Sequence, residues 1–154
     1  VRATVRLAWH RKRGHSRDFW RAERVLRELD ARARELIHAV GLDKFESQTA
    51  VELPYGRKRA LEIATTLALD PEMLLLDEPT AGMTHEDVDR IAALIRKVAA
   101  DRTVLMVEHN LSVVSNLSDH ITVLARGEVL AKGDYASVSK NPAVIEAYLG
   151  GLHA

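Results

Sequence analysis

Two adjacent carboxylates, Asp77 and Glu78, come directly after the short apolar run Met73–Leu76. Such a run is typical of a strand buried in a sheet, and α/β proteins bind their ligands at the carboxyl ends of such strands. In phosphoryl-transfer proteins a carboxylate at this place helps to hold Mg²⁺, and a glutamate beside it can polarise the attacking water. Taken alone, the pattern is equally compatible with an ordinary solvated strand end.

A second apolar run, Thr103–Val107, also predicts a buried strand, and His109 follows it closely. His109 follows Glu78 at a spacing of 31 positions, which leaves room for one helix, so both strands are expected to end at one sheet edge. A histidine at that edge would be able to hydrogen-bond a phosphate. The chain has seven histidines, and a surface histidine is the simpler interpretation of this one taken alone.

The third candidate segment is Leu53-Pro54-Tyr55-Gly56-Arg57, which comes just before a predicted helix. Gly56 allows a close approach of the backbone, and the free N–H groups at a helix start attract phosphate. An ordinary Pro–Gly turn that caps a helix explains the same residues more simply when no other signal is considered.

The elements that must position these residues follow from apolar periodicity and from capping signals. A basic loop is expected at His10–Arg17. The predicted helices are Asp18–Val40 closed by Gly41, a helix marked by Leu61–Ala68, one from the Thr84–Asp87 capping box to Val98, Leu111–Leu117, and Asn141–Leu149. Further strands are expected at Ile121–Ala125 and, after a tight turn at Arg126–Glu128, at Val129–Ala131. This alternation indicates an α/β layer structure with a mostly parallel sheet, preceded by about 70 residues that are helical only.

Composition limits the classes of function. The 154 residues suit one domain, and 22 basic residues balance 22 acidic ones, so no global charge calls for nucleic acid or an anionic membrane. The absence of cysteine excludes disulfide scaffolds, thiol catalysis and cysteine-based zinc sites. No apolar run approaches the roughly 20 residues that span a bilayer. We therefore expect a soluble, cytoplasmic globular chain.

Together, in this order and spacing, the segments Leu53–Leu67, Met73–Met83 and Val104–Asn110 resemble the nucleotide-binding subunits of ABC transporters. The resemblance covers essentially residues 1–154. It implies the C-terminal half of a P-loop NTPase (RecA-like) ABC core, with a mostly parallel sheet, plus an N-terminal helical subdomain. Residues 1–70 would then be the signature-bearing helical subdomain, and residues 71–154 the second half of the ATP-binding core.

The resemblance also implies a role for each candidate residue. Asp77 corresponds to the Walker B aspartate that holds Mg²⁺, Glu78 to the catalytic glutamate and His109 to the switch histidine. Thr84 ends the segment that corresponds to the D-loop. The family's signature motif, which completes the ATP site of a partner subunit, corresponds to Leu53, Pro54, Tyr55, Gly56 and Arg57.

Three features are similar to one branch of the family, the ATP-binding subunits of branched-chain amino acid importers. These are the Leu-Pro-Tyr-Gly variant of the signature, Ala-Gly-Met after the Walker B segment, and the closing Asn-Pro-Ala-Val-Ile-Glu-Ala-Tyr-Leu-Gly. Importers of urea or other amides stay open as alternatives. The resemblance implies ATP and Mg²⁺ as cofactors, and transmembrane permease subunits and a second ATP-binding subunit as partners. It further implies a peripheral location on the cytoplasmic face of the inner membrane, with neither nucleic acid binding nor direct membrane insertion.

The sequence also departs from the family pattern. It contains no Gly-x-x-x-x-Gly-Lys-Ser/Thr, which is the loop that cradles phosphates, and Gln48 does not occupy the place of the family's Q-loop glutamine. We therefore expect a truncated chain, the C-terminal part of something longer, that does not hydrolyse ATP on its own. Because the missing P-loop strand is central in the family's sheet, unpaired strand edges and a marginal or aggregation-prone fold are expected.

Three other interpretations come from different classes. One is a degenerate interaction module that docks on a membrane partner without hydrolysis. Another is a non-transport ABC-type ATPase that acts on nucleic acid or ribosomes. The third is a nucleic-acid binder that uses the arginine-rich face of residues 2–34, although a solvated helix surface with Arg–Glu pairs explains that face more simply.

Overall fold

The computed structural model describes residues 1–12 and 23–149. The chain forms two compact units, Val1–Val107 and Glu108–Ala154. The first unit contains all of the helical region together with the strand that carries Asp77, so the domain boundary expected after residue 70 stays a prediction. No helix in the described part of the chain is long and apolar enough to span a bilayer.

Along the chain, the described helices that precede the first strand form what we call the helical region. A pair of parallel strands comes next, and a hairpin with short helices follows it. The first unit contains α1 (Arg2–Lys12), α2 (Glu23–Ala39), 3-10 turns at Asp43–Phe45 and Ala50–Glu52, α3 (Tyr55–Leu67), β1 (Met73–Asp77), α4 (His85–Ala99) and β2 (Thr103–Val107). The second unit contains α5 (Leu111–Leu117), β3 (Ile121–Ala125), β4 (Glu128–Gly133), α6 (Tyr135–Val138) and α7 (Pro142–Leu149).

Glycine ends α2 as its position predicts. Gly41 has a left-handed φ of 69°, which glycine adopts without strain. The Leu42 amide donates to the Ile37 carbonyl at 2.9 Å, and the Gly41 amide donates to the His38 carbonyl at 3.0 Å. These two bonds satisfy carbonyls that the helix end leaves free, and they turn the chain toward Leu42, which is fully buried.

Two predictions of local structure are wrong. His10–Lys12 was expected to be a loop but belongs to α1, while residues 13–17 of that expected loop lie outside the described residues. The helix expected after the candidate segment Leu53–Arg57 begins at Tyr55, so Tyr55–Arg57 form its first turn. Apolar periodicity misses both because charged and polar residues fill these turns.

The fold is α/β, as predicted, and the two sheets described differ in direction. β1 and β2 are parallel, with Met73 opposite Thr103 and Asp77 opposite Val107. β3 and β4 form an antiparallel hairpin whose register shifts between Val123 and Leu124. Each described sheet has two strands, so each of these strands has one edge without a strand partner among the described residues.

The prediction that β1 and β2 are buried is mostly wrong, because one face of the pair is half-buried apart from Leu74 and the other face is exposed. Leu74 of β1 is buried, whereas Leu75 is 71% exposed, Leu105 is 55% exposed and Val107 is 61% exposed. Successive side chains point to opposite faces of a strand, so these exposed residues share one face, which the described residues leave open. We call this face, formed by Met73, Leu75, Leu105 and Val107, the open sheet face.

Each unit has an apolar core of its own. In the first unit the largest fully buried side chains include Leu29, Ile37 and Leu42 of the helical region, Leu74 of β1 and Ile91 of α4. In the second unit Val123, Val138 and Val144 form the core, with Ile121, Leu130 and Ala131 packed against them. The core of the second unit is therefore built from one face of the hairpin together with α6 and α7.

Candidate functional site

The carboxyl end of β1 presents two exposed carboxylates, Asp77 and Glu78. Asp77 is the last residue of the strand and lies opposite Val107 of β2. The ladder continues one residue further, because the Glu78 amide donates to the Val107 carbonyl at 2.8 Å. Glu78 has φ of 41°, in the left-handed region that non-glycine residues rarely adopt and that costs about 1–3 kcal/mol. Its conformation therefore depends on the surrounding contacts.

A compact turn follows Glu78 and leads into α4. Pro79 and Thr80 are buried, the Ala81 amide donates to the Glu78 carbonyl at 3.1 Å, and Gly82 has a positive φ of 70°. Buried residues and a backbone hydrogen bond thus stabilise the turn, while the two carboxylates before it are exposed. This combination presents charged side chains on a fixed backbone.

Thr84 is the N-cap of α4, as its sequence pattern predicts. Its Oγ1 accepts a hydrogen bond from the Asp87 amide at 3.3 Å, and the hydroxyl lies 3.2 Å from Asp87 Oδ2. A threonine in this position satisfies one of the free amides at the helix start. The described contacts of Thr84 are therefore structural, and its expected contribution to nucleotide binding stays a prediction.

The candidate signature segment Leu53–Arg57 forms the start of α3. Leu53 is buried, and Tyr55 is 62% exposed. Pro54 occupies the N-cap position without a side-chain hydrogen bond, and its carbonyl accepts the amides of Arg57 and Lys58, each at 2.9 Å. A helix start without a capping side chain leaves its first amides available to an anion.

Gly56 brings the starts of α3 and α4 together. A Cβ built on Gly56 would lie 2.6 Å from Cγ of Asp87, closer than real carbon atoms approach. Only glycine fits here without a shift of Asp87, whose carboxylate also forms an ion pair with Arg90. The structure thus places the candidate signature segment beside the first turn of α4, close to the Thr84 cap.

Arg57 is half-buried and contacts the helical region. Its guanidinium donates to the Gly41 carbonyl at 3.3 Å and lies over the Phe45 ring, 5.2 Å from the ring centroid. Both contacts are attractive, since the carbonyl is at a helix end with partial negative charge and an aromatic face attracts cations. The side chain thus has structural partners of its own, and its expected nucleotide contact stays a prediction.

Sequence reasoning missed Arg59, which reaches the end of β1. One nitrogen of its guanidinium donates to Glu62 Oε2 at 2.6 Å, and the other donates to the Asp77 carbonyl at 2.7 Å. Nothing in the local pattern distinguishes Arg59 from the other basic residues of α3. Its role becomes visible only when α3 and β1 are seen side by side.

His109 belongs to the second unit and is exposed. The neighbouring Glu108, also missed from the sequence, accepts the amides of His109 and Asn110 on one oxygen, Oε2, at 2.9 and 3.0 Å. Asn110 caps α5, accepting the Ser112 amide at 3.1 Å. The backbone that carries His109 is therefore held by two adjacent polar side chains, and α5 begins where it was predicted.

The donor chemistry of Asp77 and Glu78 fits part of a magnesium site. Mg²⁺ is commonly held by one or two carboxylates, with substrate phosphates and waters completing its shell. No group of three or more metal-binding side chains occurs among the described residues. Phosphates and waters would provide the remaining ligands of such a site.

Comparison with known proteins identifies the family. The profile of the family described as ABC transporter matches residues 3–81, which is half of the chain. This chain belongs to the ABC transporter family. A second profile, described as branched-chain amino acid ATP-binding cassette transporter, matches residues 128–154. The resemblance drawn from the sequence motifs is therefore confirmed.

Individual relatives agree with this assignment. The high-affinity branched-chain amino acid transport ATP-binding protein BraF of Pseudomonas aeruginosa is 40% identical over 86% of this ABC transporter chain and 51% of its own length. The corresponding protein LivG of Escherichia coli is 37% identical over 77% of this chain and 48% of its own length. This ABC transporter chain thus spans about half of the length of these relatives.

Solved structures agree as well. The ADP conformation of an ATP-binding cassette of an ABC transporter is 30% identical to this chain and has a TM-score of 0.72, covering 80% of this chain and 50% of the cassette. A nucleotide-free ATP-binding cassette is 26% identical with a TM-score of 0.69, covering 87% of this chain and 53% of the cassette. The fold of this ABC transporter chain is therefore that of part of an ABC cassette.

Proposed function

We propose that this chain supplies the signature and Walker B part of an ATP-binding subunit that energises the uptake of branched-chain amino acids by an ABC importer. The observation that carries the proposal is the pair of exposed carboxylates Asp77 and Glu78 at the carboxyl end of a parallel strand pair. Their backbone is fixed by hydrogen bonds on both sides of Glu78. The names and the identities of the two importer relatives support the choice of solute. Urea and other amides are the alternative solutes.

In the proposed subunit each residue has a distinct role. Asp77 holds Mg²⁺, which when bound neutralises charge on the phosphate oxygens. Glu78 accepts a hydrogen bond from the attacking water and orients it. His109 donates a hydrogen bond to the γ-phosphate. In the segment Leu53–Arg57 at the start of α3, the amides of Tyr55 and Gly56 face the nucleotide of a second ATP-binding subunit.

Residues 1–154 on their own are proposed to hydrolyse ATP negligibly. No segment of the sequence has the glycine and lysine spacing of a P-loop. Without those amides and that lysine, little would grip the β- and γ-phosphates, and Asp77 would contribute a single weak ligand. Activity therefore requires a P-loop on the same polypeptide or on a bound partner.

The partners follow from the same proposal. Residues 1–70 form the signature-bearing helical subdomain, which contacts the transmembrane permease subunits, and residues 71–154 form the second half of the ATP-binding core. A second ATP-binding subunit completes each nucleotide site. The subunit lies on the cytoplasmic face of the inner membrane as a peripheral component.

A chimera tests the proposal directly. The half of Pseudomonas BraF that aligns with this chain is replaced by residues 1–154, and the chimera is produced in a strain that lacks BraF. Uptake of radiolabelled leucine and ATPase activity of the purified transporter are then measured. The active-site variant is Glu78→Gln. The matched control is Glu86→Gln, another exposed glutamate, whose partner is Arg90 of the same helix.

We expect the chimera to restore uptake and the Glu86→Gln chimera to show the same uptake and ATP turnover. The Glu78→Gln chimera should lose about 100-fold or more in ATP turnover, the scale of a lost catalytic base. Equal turnover of the Glu78→Gln and Glu86→Gln chimeras would refute the catalytic role of Glu78. A chimera that assembles with the permease but neither hydrolyses ATP nor restores uptake would favour a degenerate interaction module.

A further inference from the structure

One peptide group, the one that joins Asp77 to Glu78, is held from both sides. Its carbonyl, on Asp77, accepts a hydrogen bond from the guanidinium of Arg59 at 2.7 Å. Its N–H, on Glu78, donates to the carbonyl of Val107 at 2.8 Å. The group is thus clamped between a side chain of α3 and the backbone of β2.

The clamp acts at a strained position. Glu78 has a positive φ of 41°, and a flip of the preceding peptide group would relieve that strain by rotating φ toward negative values. The same flip would reverse the directions of the carbonyl and of the N–H, so both hydrogen bonds would be lost. Arg59 and Val107 therefore oppose this flip and hold the backbone from which the Glu78 side chain extends.

Arg59 is suited to this task. Its side chain is 28% exposed, and its other nitrogen donates to Glu62 at 2.6 Å, one turn further along the same helix. The ion pair fixes the guanidinium plane, so less conformational freedom is lost when it bonds Asp77. A hydrogen bond from a charged donor is stronger than one between neutral groups.

We propose that Arg59 is a positioning residue that holds the Asp77–Glu78 peptide group in its catalytic orientation and thereby links α3 to the site. This inference rests on the proposed function. Arg59 itself touches neither nucleotide nor metal in this role. Its removal is expected to impair the orientation of Glu78 while leaving nucleotide affinity unchanged.

The first test measures hydrogen exchange of single amides in the 154-residue chain, at low micromolar concentration, by mass spectrometry with electron-transfer fragmentation. Arg59→Met keeps the length of the side chain and removes its donors, whereas Arg59→Lys keeps one charged donor. The matched control is Arg102→Met: Arg102 is 22% exposed, lies in the same unit, and donates to Asp70 at 3.1 Å. We expect the Glu78 amide to exchange about tenfold faster in Arg59→Met, as for the loss of one charged hydrogen bond, with partial restoration in Arg59→Lys.

The pattern of exchange separates a local effect from a global one. Arg102→Met should leave the Glu78 amide unchanged, and amides in the middle of α4 should stay unchanged in Arg59→Met. An unchanged Glu78 amide in Arg59→Met would overturn the inference. Equal acceleration throughout the first unit would also overturn it, because Arg59 would then be a general stabiliser.

The second test uses the chimera described above. Arg59→Met is expected to lower kcat for ATP about tenfold with KM for ATP within about twofold, and Arg102→Met to change neither. A local change in exchange without a change in kcat would overturn the positioning role. A wild-type chimera without activity would instead count against the proposed function, and the exchange comparison alone would then decide whether Arg59 holds the peptide group.

Discussion

Replacement of Gly56 by alanine tests how tightly the candidate signature segment is packed on α4. The added methyl carbon would lie 2.6 Å from Cγ of Asp87, and 2.9 Å from its Cβ and Oδ1. Asp87 cannot move without a cost, since its carboxylate pairs with Arg90 and its amide donates to Thr84. The two helix starts must therefore separate, or Asp87 must leave its partners.

The magnitude follows from three opposing contributions. Forcing a methyl group into a packed contact costs about 1–3 kcal/mol. Weakening the half-exposed Asp87–Arg90 pair adds at most about 1 kcal/mol. The higher helix propensity of alanine returns up to about 1 kcal/mol. We expect Gly56→Ala to lower the free energy of unfolding by about 1–2 kcal/mol, which corresponds to a urea midpoint roughly 1 M lower for a small domain.

Urea unfolding at low micromolar concentration, followed by circular dichroism, gives the assay, and a double-mutant cycle gives the decisive comparison. Asp87→Ala removes the two side-chain atoms beyond Cβ that the methyl would meet, so in that background the cost of Gly56→Ala should fall by at least half. Gly82→Ala is the matched control: its cost comes from a positive φ with no atom within 4 Å, so it should be the same in both backgrounds. A cost of Gly56→Ala that is undiminished in the Asp87→Ala background would refute the packing argument.

Three further predictions concern surface and capping residues. Leu75→Lys, on the open sheet face, should reduce concentration-dependent association in sedimentation velocity, whereas Leu74→Lys, on the buried side of the same strand, should unfold the chain. Hydrogen bonds from the hydroxyl and the amide of Ser137 hold the pKa of the Asp134 carboxyl below its ordinary value of 3.8. The contribution of the ionised carboxylate to stability should therefore be complete above that value and disappear as pH falls through the lower pKa of the folded state. An NMR titration of the carboxyl group checks the shift, and Asp134→Asn should remove this pH dependence. Thr84→Ala should cost about 1 kcal/mol in urea unfolding through loss of the α4 cap, and Thr84→Ser should restore it.

Features encoded by short sequence patterns were predicted well. The residues Thr103–Val107 predicted as a strand are β2, and the run Met73–Leu76 predicted β1 to within one residue. The Thr84 cap and the Pro142 start of α7 were also found, since an N-cap threonine and a first-turn proline act on their own helix ends. Such local signals do not depend on contacts with residues that are far away in the sequence.

Burial could not be read in the same way. An apolar run shows that a strand favours an apolar environment. Which residues cover the strand is decided by other parts of the structure. Met73–Leu76 predicted a strand covered on both faces, whereas Leu75 is 71% exposed. The end of α1 was missed for a related reason: Val5 of α1 is buried and Arg6 pairs with Asp30 of α2, contacts that a basic run such as His10–Lys12 does not reveal.

For the candidate site, the motifs singled out Asp77 and Glu78 but not the contacts that hold their backbone. Arg57 and Arg59 are the same residue type two positions apart, which places them on different faces of α3. Arg57 contacts Gly41 and Phe45 in the helical region, and Arg59 contacts Asp77 at the end of β1. The signature-like pattern includes Arg57 because it follows the glycine, whereas the packing of α3 brings Arg59 to the end of β1.

These contacts make the first turn of α3 a junction within the first unit. Arg57 ties it to the corner after α2, Gly56 lies against Asp87 of α4, and Arg59 reaches the strand end that carries Asp77. Because each of these three contacts involves a different element, a displacement of this turn must alter at least one of the contacts. A nucleotide that contacted the exposed start of α3 would therefore act on the same backbone that Arg59 anchors.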